Sequence, residues 1–342
     1  MTERVVLAVD GNSLVHRSYH AQASTAQPYW AVRGLLTQLV AAVERVRPSA
    51  VVVGFDDPDR SWRRERWPTY KANRLDKLAT LIDQLAEAMA AVRALGLAVC
   101  VPDGLEADDV LASTAVAARR AGARTVVVSS DRDAFSLICD DTAVLRIING
   151  GVEASPLMTG ERLLLLLGVR PDQYRDFAAL RGDPSDNLPG VRGIGPRTAA
   201  AILREFGTAA AAFADLDPVA ARVGQGVARR LAAPGAREAW SHNCEAMEQR
   251  ADIPVGVRFD SGPGVLPLAA ERVESVFRGL GMTWTAGPLR ALADVEPEAG
   301  EPVVWPPLTV DDDVRYWADY AIPRLPRLKP LRARGKQLSL FD

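Results

Sequence analysis

RVVLAVDGN (4–12) is an apolar run that stops abruptly on an acid and a glycine. A run of this length without polar alternation suits a strand covered on both faces, as the central strands of parallel sheets are. Four more segments share the character: AVVVGF (50–55), LAVCV (97–101), RTVVVSS (124–130) and AVLRII (143–148). Apolar residues at helical spacing fill the gaps, at about 31–46, 76–95 and 107–121. This alternation predicts a three-layer α/β domain with a mostly parallel sheet. Open sheets of that kind gather ligands at the carboxyl ends of their strands. Asp10, Asp56 and Asp131 fall at three such ends.

Those three belong to a larger set. Glu106, Asp108 and Asp109 lie in E-A-D-D (106–109), which opens a helix, so positions i, i+2 and i+3 let two of them face the sheet edge. Asp131 and Asp133 frame D-R-D, and Asp183 and Asp186 lie in G-D-P-S-D-N (182–187). Carboxylates that converge repel one another, and a fold tolerates them only where cations neutralise the charge. Oxygen ligands suit hard divalent ions, Mg²⁺ or Mn²⁺. The pattern points to metal-assisted phosphodiester chemistry.

Composition narrows the field. The 342 residues allow two domains with a real core, and 41 Lys and Arg nearly balance 43 Asp and Glu. The bases are segregated into RSWRRERWPTYKANRLDK (60–77) and RLPRLKPLRARGK (324–336). Local patches, not the total, govern contact with a polyanion. Nothing at the start reads as a signal peptide, and LLLLLG (163–168) is too short to span a bilayer. Cys100, Cys139 and Cys244 are far apart and form neither a metal spacing nor a disulfide framework, so a cytoplasmic protein is expected. His16, His20 and His242 make no nucleophile–base set, and there is no Walker loop or zinc spacing.

From about residue 157 strand signals cease. Helical patterns follow at about 160–167, 171–181, 196–206, 217–232, 237–250 and 268–280. The expected division is an α/β domain over 1–156, an all-helical domain over 157–288 and a Pro-rich basic tail over 289–342. Within the second part, PGVRGIGPRTAAAILREFG (189–207) reads as a helix-hairpin turn. Gly193 and Gly195 let backbone approach a phosphate, Pro196 suits the first helical position, and the new helix aims free N–H groups at an anion. Arg192 and Arg197, with Thr198 in the first turn, complete a grip on duplex backbone that ignores base sequence.

Five signatures now agree in order and spacing: V-D-G-N (9–12), W-P-T-Y-K-A-N-R (67–74), E-A-D-D, S-S-D-R-D (129–133) and G-D-P-S-D-N-L-P-G-V-R-G-I-G-P-R-T-A (182–199). Together they resemble the bacterial 5′→3′ exonuclease and flap endonuclease family, to which the nuclease domain at the start of DNA polymerase I belongs. The resemblance covers about residues 4–285, with no polymerase portion after it, as in a stand-alone member. It implies a PIN-like (resolvase-like) nuclease domain, then a helix-hairpin (H3TH) DNA-binding domain with its motif at 185–207. It implies Asp10, Asp56, Glu106 and Asp108 at one metal site, and Asp131, Asp133, Asp183 and Asp186 at a second. Asp109 would bridge the two groups or support them from behind. Arg17, Lys71 and Arg74 would neutralise the scissile phosphate, and Tyr19 and Tyr70 are candidates to stack on bases. The carbonyls of Val191 and Ile194 would hold a potassium ion against phosphate.

Residues 60–95 would form a helical gateway for a single-stranded 5′ end. Here the chain departs from the family: Trp62 replaces a common Phe, Trp67 a common Tyr, and prolines usual after the K-A-N-R arginine are missing. Ser130 and Ser136 replace a common Gly and Gln. At the far end, Gln337, Leu338, Leu340 and Phe341 resemble the peptide with which bacterial repair proteins dock on the sliding clamp. The expected activity is two-metal hydrolysis of DNA near a 5′ end or flap by a monomer, in primer removal and repair. A clamp-tethered, catalytically weak DNA-binding adaptor and a PIN-like ribonuclease stay open as alternatives.

Overall fold

The structure is a computed structural model that describes residues 4–22, 29–74, 77–282 and 286–293, with the backbone of 332–333 and 336–337. A six-stranded sheet forms its first half. In chain order come β1 (Val5–Asp10), α1 (Gly11–Gln22), α2 (Trp30–Val46), β2 (Ala50–Gly54), α3 (Trp62–Arg66), α4 (Ala79–Leu95), β3 (Ala98–Cys100), α5 (Ala107–Arg120), β4 (Arg124–Ser129), β5 (Thr142–Arg146), α6 (Gly151–Ala154) and β6 (Leu157–Met158). The strand order is β3-β2-β1-β4-β5-β6, parallel throughout except for the short edge strand β6. Order reverses between β1 and β4, so the crevice outside their carboxyl ends is the switch point where such sheets bind ligands.

Both faces of the sheet are covered, which explains the unbroken apolar runs. Val5, Leu7 and Val9 pack among α1, α2 and α4, while Val6 packs against Val110 of α5 on the other face. The register sets Asp10 opposite Gly54 and Val9 opposite Val128, bringing three strand ends to one level. Helix α1 was not signalled by periodicity; Leu14, Val15 and Tyr19 are buried, but polar residues crowd between them. Helix α4 departs from the gateway expected over 60–95. Its Leu81, Leu85, Ala88, Val92 and Leu95 lie in the main core, so α4 is part of the α/β body rather than of a gateway.

The helical part contains α7 (Gly160–Leu167), α8 (Tyr174–Arg181), a two-strand loop of β7 (Gly182–Asp183) and β8 (Leu188–Pro189), then α9 (Pro196–Phe206), α10 (Ala209–Ala214), α11 (Leu216–Arg222), α12 (Gln225–Leu231) and α13 (Ala236–Ala246). The expected 217–232 helix is two helices, broken at Gly224, whose φ of 121° disfavours other residues. The domain does not reach 288. After α13 the chain returns to the sheet: Ile253, Val255, Val257 and Phe259 cover β1 and β2, and Val265 bridges Ala50. Helices α14 (Ala270–Gly279) and α15 (Ala286–Leu292) place Val273, Phe277 and Leu292 in the α/β core. Sequence periodicity identifies α14 but says nothing of which core it joins. A two-residue hairpin, β9 (Arg332–Ala333) with β10 (Lys336–Gln337), ends the description; Leu338, Leu340 and Phe341 lie outside the described residues. Among the described residues no helix is long and apolar enough to cross a membrane.

Candidate active site

The switch point gathers the acids. Asp10 ends β1, where its Oδ1 accepts the Ser13 amide at 2.8 Å and its Oδ2 accepts the Ser129 hydroxyl at 2.7 Å. Asp56 follows β2; Asn12 clamps it from both sides, donating to Oδ2 at 2.6 Å and accepting its amide at 3.1 Å. The Ala107 amide, at the start of α5, donates to Asp56 Oδ1 at 3.0 Å. Asp131 receives the Asp133 amide at 3.0 Å just past β4. From the helical part, the 182–189 hairpin brings in Asp183 and Asp186. Asp183 caps the turn by accepting the Ser185 amide at 2.8 Å. That hairpin needs glycine: a Cβ on Gly190 would lie 2.3 Å from the Arg181 carbonyl.

Electrostatics tie these side chains into one neighbourhood. Burial pushes the Asp10 carboxyl up to about 7, helped by the charges of Asp56 and Asp131. Burial, then Asp10 and Asp131, raises Asp108 far above the carboxylate range. Burial, then Asp131, Asp186 and Asp183, does the same to Asp133. Asp56 and Asp186 are raised as well, burial again leading. Asp108 Oδ1 and Asp133 Oδ1 are buried and accept no hydrogen bond. Buried carboxyl oxygens without a donor can ionise only where a cation meets them, so the donor set fits hard divalent ions. Among the described residues no three acidic, His or Cys side chains form a ready-made cage; bases stand between the acids instead.

Those bases come from the K-A-N-R turn. Lys71 Nζ lies 3.1 Å from Glu106 Oε2 and 3.9 Å from Asp186 Oδ2, and Arg74 lies 2.5 Å from Asp186 Oδ1. Burial would raise Glu106, but Lys71 and Arg63 prevail and hold it below its ordinary value. The turn is fastened to the acidic hairpin: Asn73 donates to the Pro184 carbonyl, Asn187 to that of Thr69, and the Lys71 amide to that of Asp186. Lys71 has φ 54°, a left-handed conformation that costs of order 1–3 kcal/mol and persists because these bonds fix it.

Several expected roles change. Tyr70 is buried, its hydroxyl donating to Glu106 and Asp186 at 3.1 Å each, and its ring packs with Leu188 and Ala246, leaving no face for a base. Tyr19 is also buried, bonded to Thr80 and packed on Trp30, so it too is a packing residue rather than a stacking platform. Asp109 is fully engaged. Its Oδ1 accepts Arg63 Nη2 and the Arg250 amide, each at 2.8 Å; its Oδ2 accepts Arg63 Nη1 at 2.7 Å and the Glu106 amide at 3.0 Å. All four lone pairs are used, so Asp109 supports the site from behind and does not hold an ion. Arg17 donates to Asn149 at 2.9 Å and lines a cleft of about 510 Å³ with Arg33, whose walls include none of the acids.

Sequence reading passed over Asn12, Ser13, Arg63 and Ser129. Asn12 was visible inside V-D-G-N; Arg63 was hidden in a basic run that looked solvated yet is 2% exposed here. Ser130 bonds the Ser13 hydroxyl, so the replacement for glycine joins β4 to α1.

The helix-hairpin turn follows directly on the hairpin that carries Asp183 and Asp186, and the Val191 amide donates back to the Leu180 carbonyl. Gly193 has φ 80°. A side chain on Gly195 would meet no protein atom within 4 Å, so the α9 N-terminus is open to a ligand. Arg192 and Arg197 are exposed beside it, Thr198 half-buried. Val191 and Ile194 bury their side chains, and the Val191 carbonyl accepts the Ile194 amide.

Two family models match successive parts of the chain: the 5′-3′ exonuclease N-terminal resolvase-like domain over residues 5–163, and the 5′-3′ exonuclease C-terminal SAM fold over 169–260. DNA polymerase I of Mycobacterium tuberculosis (strain ATCC 25618 / H37Rv) is 37% identical over 236 residues, 66% of this chain and 26% of that protein. The thermostable DNA polymerase I of Thermus aquaticus is 35% identical over 258 residues, 74% of this chain and 29% of that protein. The chain thus spans between a quarter and a third of the length of these relatives. Among solved structures, zinc-bound T5 5′-exonuclease superposes with a TM-score of 0.60 at 19% identity, over 84% of this chain and 100% of that one. The catalytic core of Rad2 in complex with a DNA substrate gives 0.55 at 14% identity, over 85% and 92%. At such identities the likeness concerns the fold, which is the resolvase-like sheet followed by a helical domain. By its two matched domains and the acids gathered at its switch point, this chain belongs to the 5′-3′ exonuclease family.

Proposed function

We propose that this protein is a structure-specific 5′ nuclease that hydrolyses DNA phosphodiesters at 5′ ends and 5′ flaps, in primer removal and repair. The observation that carries the reading is the pair of buried, unpartnered oxygens on Asp108 and Asp133, set among acids at the carboxyl ends of β1, β2 and β4. Asp10, Asp56, Glu106 and Asp108 would hold one Mg²⁺ or Mn²⁺; Asp131, Asp133, Asp183 and Asp186 would hold a second. Bound there, such ions supply charge neutralisation at the phosphate and an acidified water. The chain's own groups do the rest. Asn12 and Ala107 orient Asp56, and Ser13 and Ser129 orient Asp10. Lys71 and Arg74, already beside Glu106 and Asp186, would meet phosphate oxygens, with Arg17 as a further base for the phosphate. The open α9 N-terminus, Arg192, Arg197 and Thr198 grip duplex backbone, with a K⁺ ion at the carbonyls of Val191 and Ile194. Grip and cutting site then lie on one body, so a junction between duplex and single strand is selected by shape.

The test is cleavage of a labelled 5′ flap with Mg²⁺. Asp10→Ala and Asp131→Ala should each abolish it; retained cutting in both removes the two-metal reading. The protein would act as a cytoplasmic monomer, tethered to the sliding clamp by Gln337, Leu338, Leu340 and Phe341. Deleting residues 337–342 should end clamp pull-down yet leave cleavage of free flap DNA intact.

A further inference from the structure

Arg63 is engaged on every side, though it holds no place in the proposed metal sites or the DNA grip. It sits on α3, at the foot of the segment that precedes α4, and is 2% exposed. Each of its five N–H directions has an acceptor. Nε donates to the Ala246 carbonyl at 3.1 Å, and Nη2 to the Glu248 carbonyl at 2.7 Å. Nη1 and Nη2 fork onto the two oxygens of Asp109 at 2.7 and 2.8 Å, and Nη1 also reaches Glu106 Oε2 at 3.4 Å. Three units therefore meet at one guanidinium: the gateway foot, the E-A-D-D helix start, and the chain that leaves the helical domain after α13. The Arg250 amide closes the knot by donating to Asp109 Oδ1.

We propose that Arg63 is a positioning residue that transmits the docking of the helical domain to Glu106. The inference rests on the nuclease reading for Glu106's role. Physically, carbonyls at the end of α13 have no partner in their own helix. Arg63 can satisfy them and Asp109 at once only when the 246–250 segment sits against α5. Asp109 in turn holds the Glu106 amide at 3.0 Å. A carboxylate meant for a cation is thus held through its backbone by Asp109 and at its side chain by Arg63, both bound to the other domain. Lys cannot replace this fork, since its three donors radiate from one atom.

The test compares Arg63→Lys and Asp109→Asn with wild type. Mg²⁺ binding is measured by calorimetry on DNA-free protein, duplex binding is measured without metal, and the folded fraction of each variant is taken from near-ultraviolet circular dichroism. Loss of a supporting partner typically weakens a metal site by about 10–100-fold. Arg63→Lys should show a loss in that range and Asp109→Asn a smaller one in the same direction, with duplex affinity within about twofold of wild type. Metal affinity within about twofold of wild type in the folded fraction of either variant overturns the proposal, leaving Arg63 a purely structural tie. Should Arg63→Lys fail to fold, Asp109→Asn decides. If instead wild type binds metal but cuts no flap, the nuclease reading fails, and the calorimetry still judges the joint.

Discussion

Replacing Asp10 by asparagine keeps the shape of a side chain that is 5% exposed and removes its charge. The wild-type carboxyl moves from 3.8 to about 7 on folding, chiefly because burial disfavours the anion. At pH 8 that shift corresponds to about 4 kcal/mol lost by the metal-free fold. Asparagine escapes this cost but serves its neighbours less well. Its oxygen can take the Ser13 amide, while its NH₂ must face Ser129, whose hydroxyl already accepts the Asp131 amide. That mismatch costs about 1 kcal/mol. The net expectation is a gain of about 3 kcal/mol, or about 4–5 °C in melting temperature for a chain of this size, together with loss of cleavage. The sign depends on pH. A folded value above the unfolded one means the folded wild type keeps an extra proton, so its stability is intact below pH 3.8 and declines as pH rises through about 7. At pH 5 most of the wild-type penalty is gone, so the advantage of Asp10→Asn should shrink to a small part of its value at pH 8. Thermal unfolding followed by circular dichroism in EDTA, at pH 5 and pH 8, measures both. Mg²⁺ should close the gap by stabilising wild type selectively, by about 2.7 kcal/mol at one hundred times Kd, and reverse the order at one thousand times Kd, where the gain is about 4.1 kcal/mol. An asparagine variant that melts at or below wild type in EDTA at pH 8, or a gap that does not narrow at pH 5, would refute the claim that burial and like charge dominate here.

Three other outcomes follow from the same geometry. Mg²⁺ uptake should release protons between pH 6 and 8, because ions must displace them from Asp10 and its raised neighbours; calorimetry in two buffers of different ionisation enthalpy would show identical heats if no proton left. Gly190→Ala sets a methyl against the Arg181 carbonyl, which cannot swing away as a side chain could, so a loss of about 3 kcal/mol is expected, read as a lowered denaturant midpoint. Arg192→Ala with Arg197→Ala should flatten the dependence of log duplex affinity on log salt by about 1.8, without changing the cleavage rate at saturating DNA; an unchanged slope would mean that neither arginine meets phosphate.

How much of this was legible depended on whether a signal was local. Strands β1, β2, β4 and β5 announced themselves because burial on both faces demands unbroken apolar residues, and the acids at or just past the ends of β1, β2 and β4 were readable in the same line. Helix α9 was bounded correctly by Pro196 and Gly207, which act through their own backbones. Domain membership was not local. Val273 and Phe277 give α14 an ordinary amphipathic stripe, and nothing in that stripe says the partner is α2 and α4 rather than α13. The tyrosines failed for a related reason. A ring in a basic, DNA-facing stretch suggests stacking, but Tyr70 has two carboxylates within reach of its hydroxyl, and that depends on a hairpin more than a hundred residues away.

Arg63 and Lys71 show why composition misleads at such a site. Both lie in the run that reads as a solvated basic face, yet both are drawn inward by acids, while Arg64 and Arg66 on the same short helix remain outside. The acids need not all be neutralised by the same kind of partner. Asp109 receives a permanent guanidinium with matched geometry and two backbone amides, which together replace its hydration and leave no lone pair over. Glu106 receives Lys71, a point charge on a flexible stem, and is held below its ordinary value by it. Asp108 and Asp133 keep a buried oxygen with no donor at all and are pushed strongly upward. This gradation, from fully matched to unmatched, separates carboxylates that build the frame from carboxylates whose oxygens are left without a protein donor. It also explains why stability and activity should move in opposite directions when the unmatched ones are replaced.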